Sequence, residues 1–177
     1  MTVIALPAPA PAPVRHSAHV LVQAPARLPE KVDLFLAGGV TGTAPWQSEV
    51  AAALAHLPAT VANPRRGTDF DATGPEAAAQ IGWERRALAR ARFVLFWFTS
   101  TSIQPFTLFE LGSMLGAGKP IIIGAHPEYP YRRDVVHNLQ LARPAQPVHA
   151  SLEDLVSATI DRLGHRHAPG LDQPLAA

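Results

Sequence analysis

From Arg92 to Phe98 the chain reads RFVLFWF: behind the arginine, six apolar residues follow with no polar side chain among them. A strand with one wet face alternates polar with apolar residues, so an unbroken run of this length calls for cover on both faces. That is the situation of a central strand in a parallel sheet, with helices packed above and below it. The neighbouring segments fit this requirement. VDLFLAG (32–38), ATVANP (59–64) and KPIIIGA (119–125) are short apolar runs bounded by glycine or proline, and a further short strand is expected near 146–149. Helical patterns lie between them. Residues 44–57 carry Val50, Leu54 and Leu57 at helical spacing, and 75–91 is rich in strong helix formers, with Thr73 and Glu76 spaced as a capping box. Residues 107–118 close on glycine, and 151–163 open on Ser151 and Asp154. Repeated strand–helix order implies right-handed crossovers. The expected fold is therefore α/β, a flavodoxin-like doubly wound parallel sheet of about five strands in an α/β/α sandwich.

The domain is bounded by composition. Six of the 18 prolines fall in the first 30 residues, partly as APAPAPAP, a pattern without amide donors that favours polyproline II. Residues 1–30 are expected to be a Pro/Ala-rich disordered tail, 31–163 the folded domain and 164–177 a second disordered tail. A signal peptide fits poorly, because no basic residue precedes Arg15 and prolines break the apolar stretch. The absence of cysteine removes disulfide frameworks, thiolate metal sites and thiol catalysis. A net charge of +1 is too even for a dedicated nucleic-acid or anionic-membrane binder, and no apolar run approaches the ~20 residues of a membrane span. The expectation is a soluble cytoplasmic protein with no membrane and no nucleic-acid polymer among its partners.

In an open α/β sheet ligands bind beyond the carboxyl ends of the strands, where strand order reverses. For a flavodoxin-like order the loops concerned are Gly38–Trp46 and Thr99–Thr107. The first, GGVTGTAPW, has glycines that permit close backbone approach to a phosphate or sugar hydroxyl, or simply a tight turn. It is neither a dinucleotide fingerprint nor a Walker motif, so no NAD or ATP is implied. Glu84 falls on the stripe Ala77, Ile81, Leu88 and Ala91. A carboxylate on a buried face is there for chemistry, or as a structural ion pair with Arg65 or Arg66. Glu110 has the spacing of a T-x-x-E capping box with Thr107. A helix N-terminus at this position is expected to keep it ionised, as a covalent glycosyl nucleophile requires. The aromatics Trp46, Trp83, Trp97, Phe98, Phe106 and Phe109 suit either a stacked nucleobase or the core. The eight histidines are scattered, and no metal site is expected.

Taken in order, FLAGGVTG, WQSEV, NPRR, QIGWE, the LFWF strand, TLFELG and GKPIIIGAHPEY resemble the nucleoside 2-deoxyribosyltransferase superfamily, in particular its nucleoside 2-deoxyribosyltransferase-like branch, over roughly residues 32–137. The resemblance implies a five-stranded parallel sheet and a reaction at the N-glycosidic bond of a nucleoside or nucleotide. Glu110 falls on the family's nucleophilic glutamate, and Glu84 near an aspartate that helps protonate or orient the leaving base. Gln104 stands where transferases carry a base-orienting aspartate and nucleotide hydrolases a phosphate-binding serine. Leu34 or Phe35 stands in place of the family's first-strand tyrosine. By the same resemblance Gly38, Gly39 and Thr41 contact the sugar or its 5′ group, Trp46, Trp97 and Phe98 bound the base pocket, and Asn63, Arg65 and Thr107 lie close by.

Three functions follow as expectations. The first is an enzyme transferring a deoxyribosyl group between bases through a covalent glycosyl-enzyme on Glu110. The second is a nucleoside or nucleoside 5′-monophosphate N-glycosidase, and the third a non-catalytic nucleotide-binding module. The implied partners are a nucleoside or nucleotide substrate, a free nucleobase and further copies of the chain in a homo-oligomer. No cofactor is required.

Overall fold

The structure, a computed structural model, describes residues 18–67 and 74–164. Its elements run β1 (Val20–Gln23), β2 (Val32–Gly38), α1 (Trp46–Ala53), β3 (Thr60–Asn63), α2 (Ala77–Arg90), β4 (Ala91–Phe98), α3 (Pro105–Gly116), β5 (Ile121–Ala125), α4 (Arg132–Ala142), β6 (Val148–His149) and α5 (Leu152–Gly164). The six described strands form one sheet in the order β1-β3-β2-β4-β5-β6, and every pairing is parallel. This is the doubly wound α/β architecture.

β4 shows why. Its side chains alternate between two apolar layers, Phe93, Leu95 and Trp97 on one face and Val94, Phe96 and Phe98 on the other. The first layer is closed by Trp46 and Val50 of α1, by Leu54 that caps it, and by Leu155 and Leu163 of α5. The second is closed by Trp83, Ala87 and Leu88 of α2, Leu111 of α3 and Val135 and Leu139 of α4. Each fully buried side chain of this size stabilises the fold by roughly 1.5–3 kcal/mol, so both helix layers are needed to keep β4 dry.

Two elements depart from expectation. β1 lies inside the segment 1–30 assigned to a tail, so the sheet has six strands and begins before residue 31. β1 pairs along its whole length with β3, Val20 to Thr60 through Gln23 to Asn63. As an edge strand it leaves Val20 and Leu21 exposed. α4 was not anticipated, because its buried face is one i, i+4 pair, Val135 and Leu139, behind two prolines. The remaining expected tail residues, 1–17 and 165–177, lie outside the described residues, as does Thr73 of the expected capping box. Ser151 does open α5, its hydroxyl accepting from the Asp154 amide at 3.1 Å. No helix among the described residues is long and apolar enough to cross a membrane.

β5 packs against the β4 core so closely that a Cβ on Gly124 would stand 2.8 Å from the Trp97 ring. Both are buried, so Gly124→Ala is expected to cost about 1–3 kcal/mol, read as a lower denaturant midpoint without a change in slope.

Candidate active site

The chain leaves β2 toward β3 on one side and returns to β4 on the other, so strand order reverses between β2 and β4. Their carboxyl ends are in register, Gly38 opposite Trp97. A Cβ on Gly38 would lie 2.5 Å from both the Trp46 ring and the Trp97 carbonyl, which explains the glycine at this crossing. The two loops that follow are tied together by Gln104. Its Oε1 accepts from the Gly39 amide at 2.7 Å, and its Nε2 donates to Thr99 Oγ1 at 2.9 Å. Gln104 is also left-handed, with φ 54° and ψ 55°, a strain of about 1–2 kcal/mol for a residue with a Cβ. The side-chain bonds hold it there.

The Gly39 carbonyl accepts three donors, Thr43 Oγ1 at 2.8 Å, Trp46 Nε1 at 3.0 Å and Gln47 Nε2 at 3.1 Å. Arg65 supports the same turn, donating to Gln47 Oε1 at 3.0 Å, Thr43 Oγ1 at 2.9 Å and the Ala44 carbonyl at 3.0 Å. Asn63 accepts from the Arg65 amide at 2.9 Å. Thr41 is exposed at the tip of the turn, and Thr107 is buried in the first turn of α3.

Several expectations change here. Trp46, Trp97 and Phe98 are at most 5% exposed and belong to the two cores, so their faces do not wall an open base pocket. The aromatic surface near α3 is instead Phe106 and Phe109, 82% and 65% exposed. Gln104 and Arg65 spend their polar atoms on the loops. α3 begins at Pro105 with Gln104 as its N-cap and no side-chain cap bond, so Thr107 and Glu110 do not form a capping box. Two concavities, of about 320 Å³ beside Trp83, Arg27 and Arg86 and about 420 Å³ beside Tyr129, Arg133 and His137, lie away from this crossing.

The two expected carboxylates do come together. Glu84 on α2 and Glu110 on α3 are close enough for the charge of Glu84 to act on Glu110. The buried face of α2 is Gln80, Trp83, Ala87 and Leu88, rotated from the expected stripe, so Ile81 is 56% exposed. Glu84 lies half-buried beside that face. The alternative role of Glu84, an ion pair with Arg65 or Arg66, is not what forms: Arg66 pairs with Glu76 at 2.5 Å, and Arg65 donates to Gln47, Thr43 and Ala44. Arg66 reaches Glu84 through Gln80, whose Oε1 accepts from Arg66 Nε at 2.9 Å and whose Nε2 donates to Glu84 Oε1 at 2.8 Å.

Burial, followed by the charge of Glu84, pushes the Glu110 carboxyl up to about 8, with Arg85 pulling the other way. Glu110 stands in the second turn of α3, and the helix N-terminal field falls off within the first. It is therefore not held ionised as the sequence suggested. Burial also raises Glu84, against the Gln80 hydrogen bond and the charge of Arg66. Sequence reasoning missed Thr43, Gln47 and Gln80 as site-building residues. For Gln80 the available signal was its place four residues before Glu84, one turn away on the same face.

The fold is that of an open α/β protein, and helices α2 and α3 carry two interacting carboxyls, Glu84 and Glu110. Residues 31–129 match the family model described as nucleoside 2-deoxyribosyltransferase like. The match spans more than half of the 177 residues, and the chain belongs to the nucleoside 2-deoxyribosyltransferase-like family. No curated protein sequence matches it significantly.

Gln104→Ala removes the clasp, and amide hydrogen exchange at Gly39 is expected to speed up by roughly tenfold or more, the equivalent of about one lost hydrogen bond. The Glu110 carboxyl also makes stability pH-dependent. A carboxyl raised in the folded state favours folding while protonated, so its contribution is full below the ordinary carboxyl range and is lost as pH rises to about 8. Glu110→Gln is expected to match wild type in acid and to exceed its Tm above pH 8.

Proposed function

We propose that this protein cleaves the N-glycosidic bond of a deoxynucleoside and transfers the deoxyribosyl group to a second base, with Glu110 as nucleophile. The observation that carries this reading is the interacting Glu84–Glu110 pair on adjacent helices, within the family-matched span. Two carboxyls that resist ionising together hold one proton between them near neutral pH, and such a pair serves acid and nucleophile at once. In the productive form the proton sits on Glu84. A Glu110 oxygen bonds to the anomeric carbon, the carbon–nitrogen bond breaks, and its electron pair leaves with the base, which takes the proton from Glu84. A nitrogen of the incoming base then attacks the same carbon, the carbon–oxygen bond to Glu110 breaks to free its carboxylate, and the proton lost by that nitrogen passes to Glu84. No cofactor enters these steps.

The turn of Gly38, Gly39 and Thr41 is proposed to meet the sugar or its 5′ group, with Arg65 and Asn63 holding the turn. The exposed rings of Phe106 and Phe109 are read as a site wall completed by a second copy of the chain, in a homo-oligomer. A hydrolytic reading is favoured by the burial of Glu110, which pushes its carboxyl up to about 8 and so favours the protonated, acid form. An N-glycosidase would use Glu110 as acid and the Glu84 anion to activate water.

The test is a chromatographic screen of deoxynucleosides, ribonucleosides and their 5′-monophosphates, each with a second free base. Wild type is expected to release the base and form the exchanged nucleoside, and Glu110→Ala to lose at least ~10³-fold in rate. Free sugar without exchange would favour the hydrolase. Nucleoside binding that survives Glu110→Ala, with no base released by wild type, would leave only a binding module.

A further inference from the structure

The carboxyl pair is not symmetric in its hydrogen bonding. Gln80 is buried, 7% exposed, and uses its whole amide group: Nε2 donates to the Pro64 carbonyl at 2.9 Å and to Glu84 Oε1 at 2.8 Å, while Oε1 accepts from Arg66 Nε at 2.9 Å. The amide has one orientation only. Flipped, it would set oxygen against the Pro64 carbonyl and NH₂ against the guanidinium. Arg66 is itself fixed by Glu76. Glu84 Oε1 therefore always meets a donor, whereas among the described residues no side-chain hydrogen bond is made to Glu110.

We propose that Gln80 is a positioning residue that decides which member of the Glu84–Glu110 pair carries their shared proton, biasing Glu84 toward the anion and leaving the proton on Glu110. A donor aimed at a carboxylate stabilises its charged form, and in a coupled pair that charge keeps the partner neutral. The other charged groups facing the pair act alongside it: Arg66, after β3, favours the Glu84 anion, and Arg85, on α2, favours that of Glu110. Gln80 adds a directed bond to one side alone. It also fixes where a proton on Glu84 must sit, on Oε2, because Oε1 is engaged as an acceptor. The proposal describes the free chain and rests on the reading of Glu84 and Glu110 as the reacting pair: the bias matches the hydrolytic assignment, with Glu110 as acid, and for transfer it requires the bound substrate to move the proton to Glu84.

The test needs no turnover. The full chain is labelled with ¹³C at the glutamate carboxyl carbons, Glu84 and Glu110 are assigned with Glu84→Gln and Glu110→Gln, and both signals are titrated from acid to alkaline pH. In Gln80→Met, which keeps length without a donor, the Glu84 midpoint is expected to rise and the Glu110 midpoint to fall from about 8. Gln80→Asn stays neutral but withdraws the amide from Glu84 by one methylene, and is expected to move both midpoints in the same directions even if the methionine variant fails to fold. A folded variant of either kind whose two midpoints stay at the wild-type values overturns the proposal, because a purely structural Gln80 would lower Tm and leave the titrations unmoved. Absence of base release by wild type would sink the enzymatic reading and leave this result standing.

Discussion

Strand β4 has no face that it can show to water. With Phe93, Leu95 and Trp97 on one side and Val94, Phe96 and Phe98 on the other, the sheet around it must be covered twice. Cover on both faces requires the chain to wind first one way and then the other. That reversal separates the loops after β2 and β4 and sets α2 and α3 side by side on one face. The glycine at 38, the buried indoles of Trp46 and Trp97 and the clasp of Gln104 are local solutions to packing two loops over so tight a crossing. The position of the carboxyl pair thus follows from the burial of one apolar strand.

Most of this was legible in the residues. The strands from β2 to β5 announce themselves as short apolar runs, and α2, α3 and α5 as helical segments, α3 closing on glycine and α5 opening on Ser151. β1 did not, because four residues between proline-rich flanks, with two side chains in water, carry almost no pattern of their own. It exists because β3 offers an unpaired edge. α4 buries a single i, i+4 pair, too little for a periodicity argument. At the site, Glu84 and Glu110 were legible as residues but not in their surroundings. The stripe through Ile81 looked apolar, yet the helix turns Gln80 and Trp83 inward, since the Trp83 indole finds a carbonyl partner at Ala26 and Gln80 finds three partners. The T-x-x-E spacing at Thr107 fitted a cap, but Pro105 and a left-handed Gln104 start the helix earlier and move Glu110 out of the first turn. Capping spacing is a local signal, and the loop clasp that overrode it is tertiary.

The electrostatic character of the site follows from that displacement. A carboxylate in the first turn of α3 would face the helix dipole. In the second turn it is buried beside Glu84 instead, with no side-chain hydrogen bond among the described residues, and it resists ionisation. Two carboxyls that resist being charged together, one of them braced by a buried amide, form a proton-holding unit whose chemistry depends on what a ligand does to the balance between them. In the proposed transfer, an electron-poor anomeric carbon brought against Glu110 would favour its anion and drive the proton toward Glu84. This joins the fold, the pair and the proposed transfer in one physical account.

The most direct measurement is the intact mass of the wild-type chain quenched during turnover of a deoxynucleoside, followed by peptide mapping. The account predicts a mass increment of one deoxyribosyl group, confined to the peptide containing Glu110 and lost when a free base is added. Base release with the mass unchanged at every time point, or an increment on a peptide without Glu110, would contradict it.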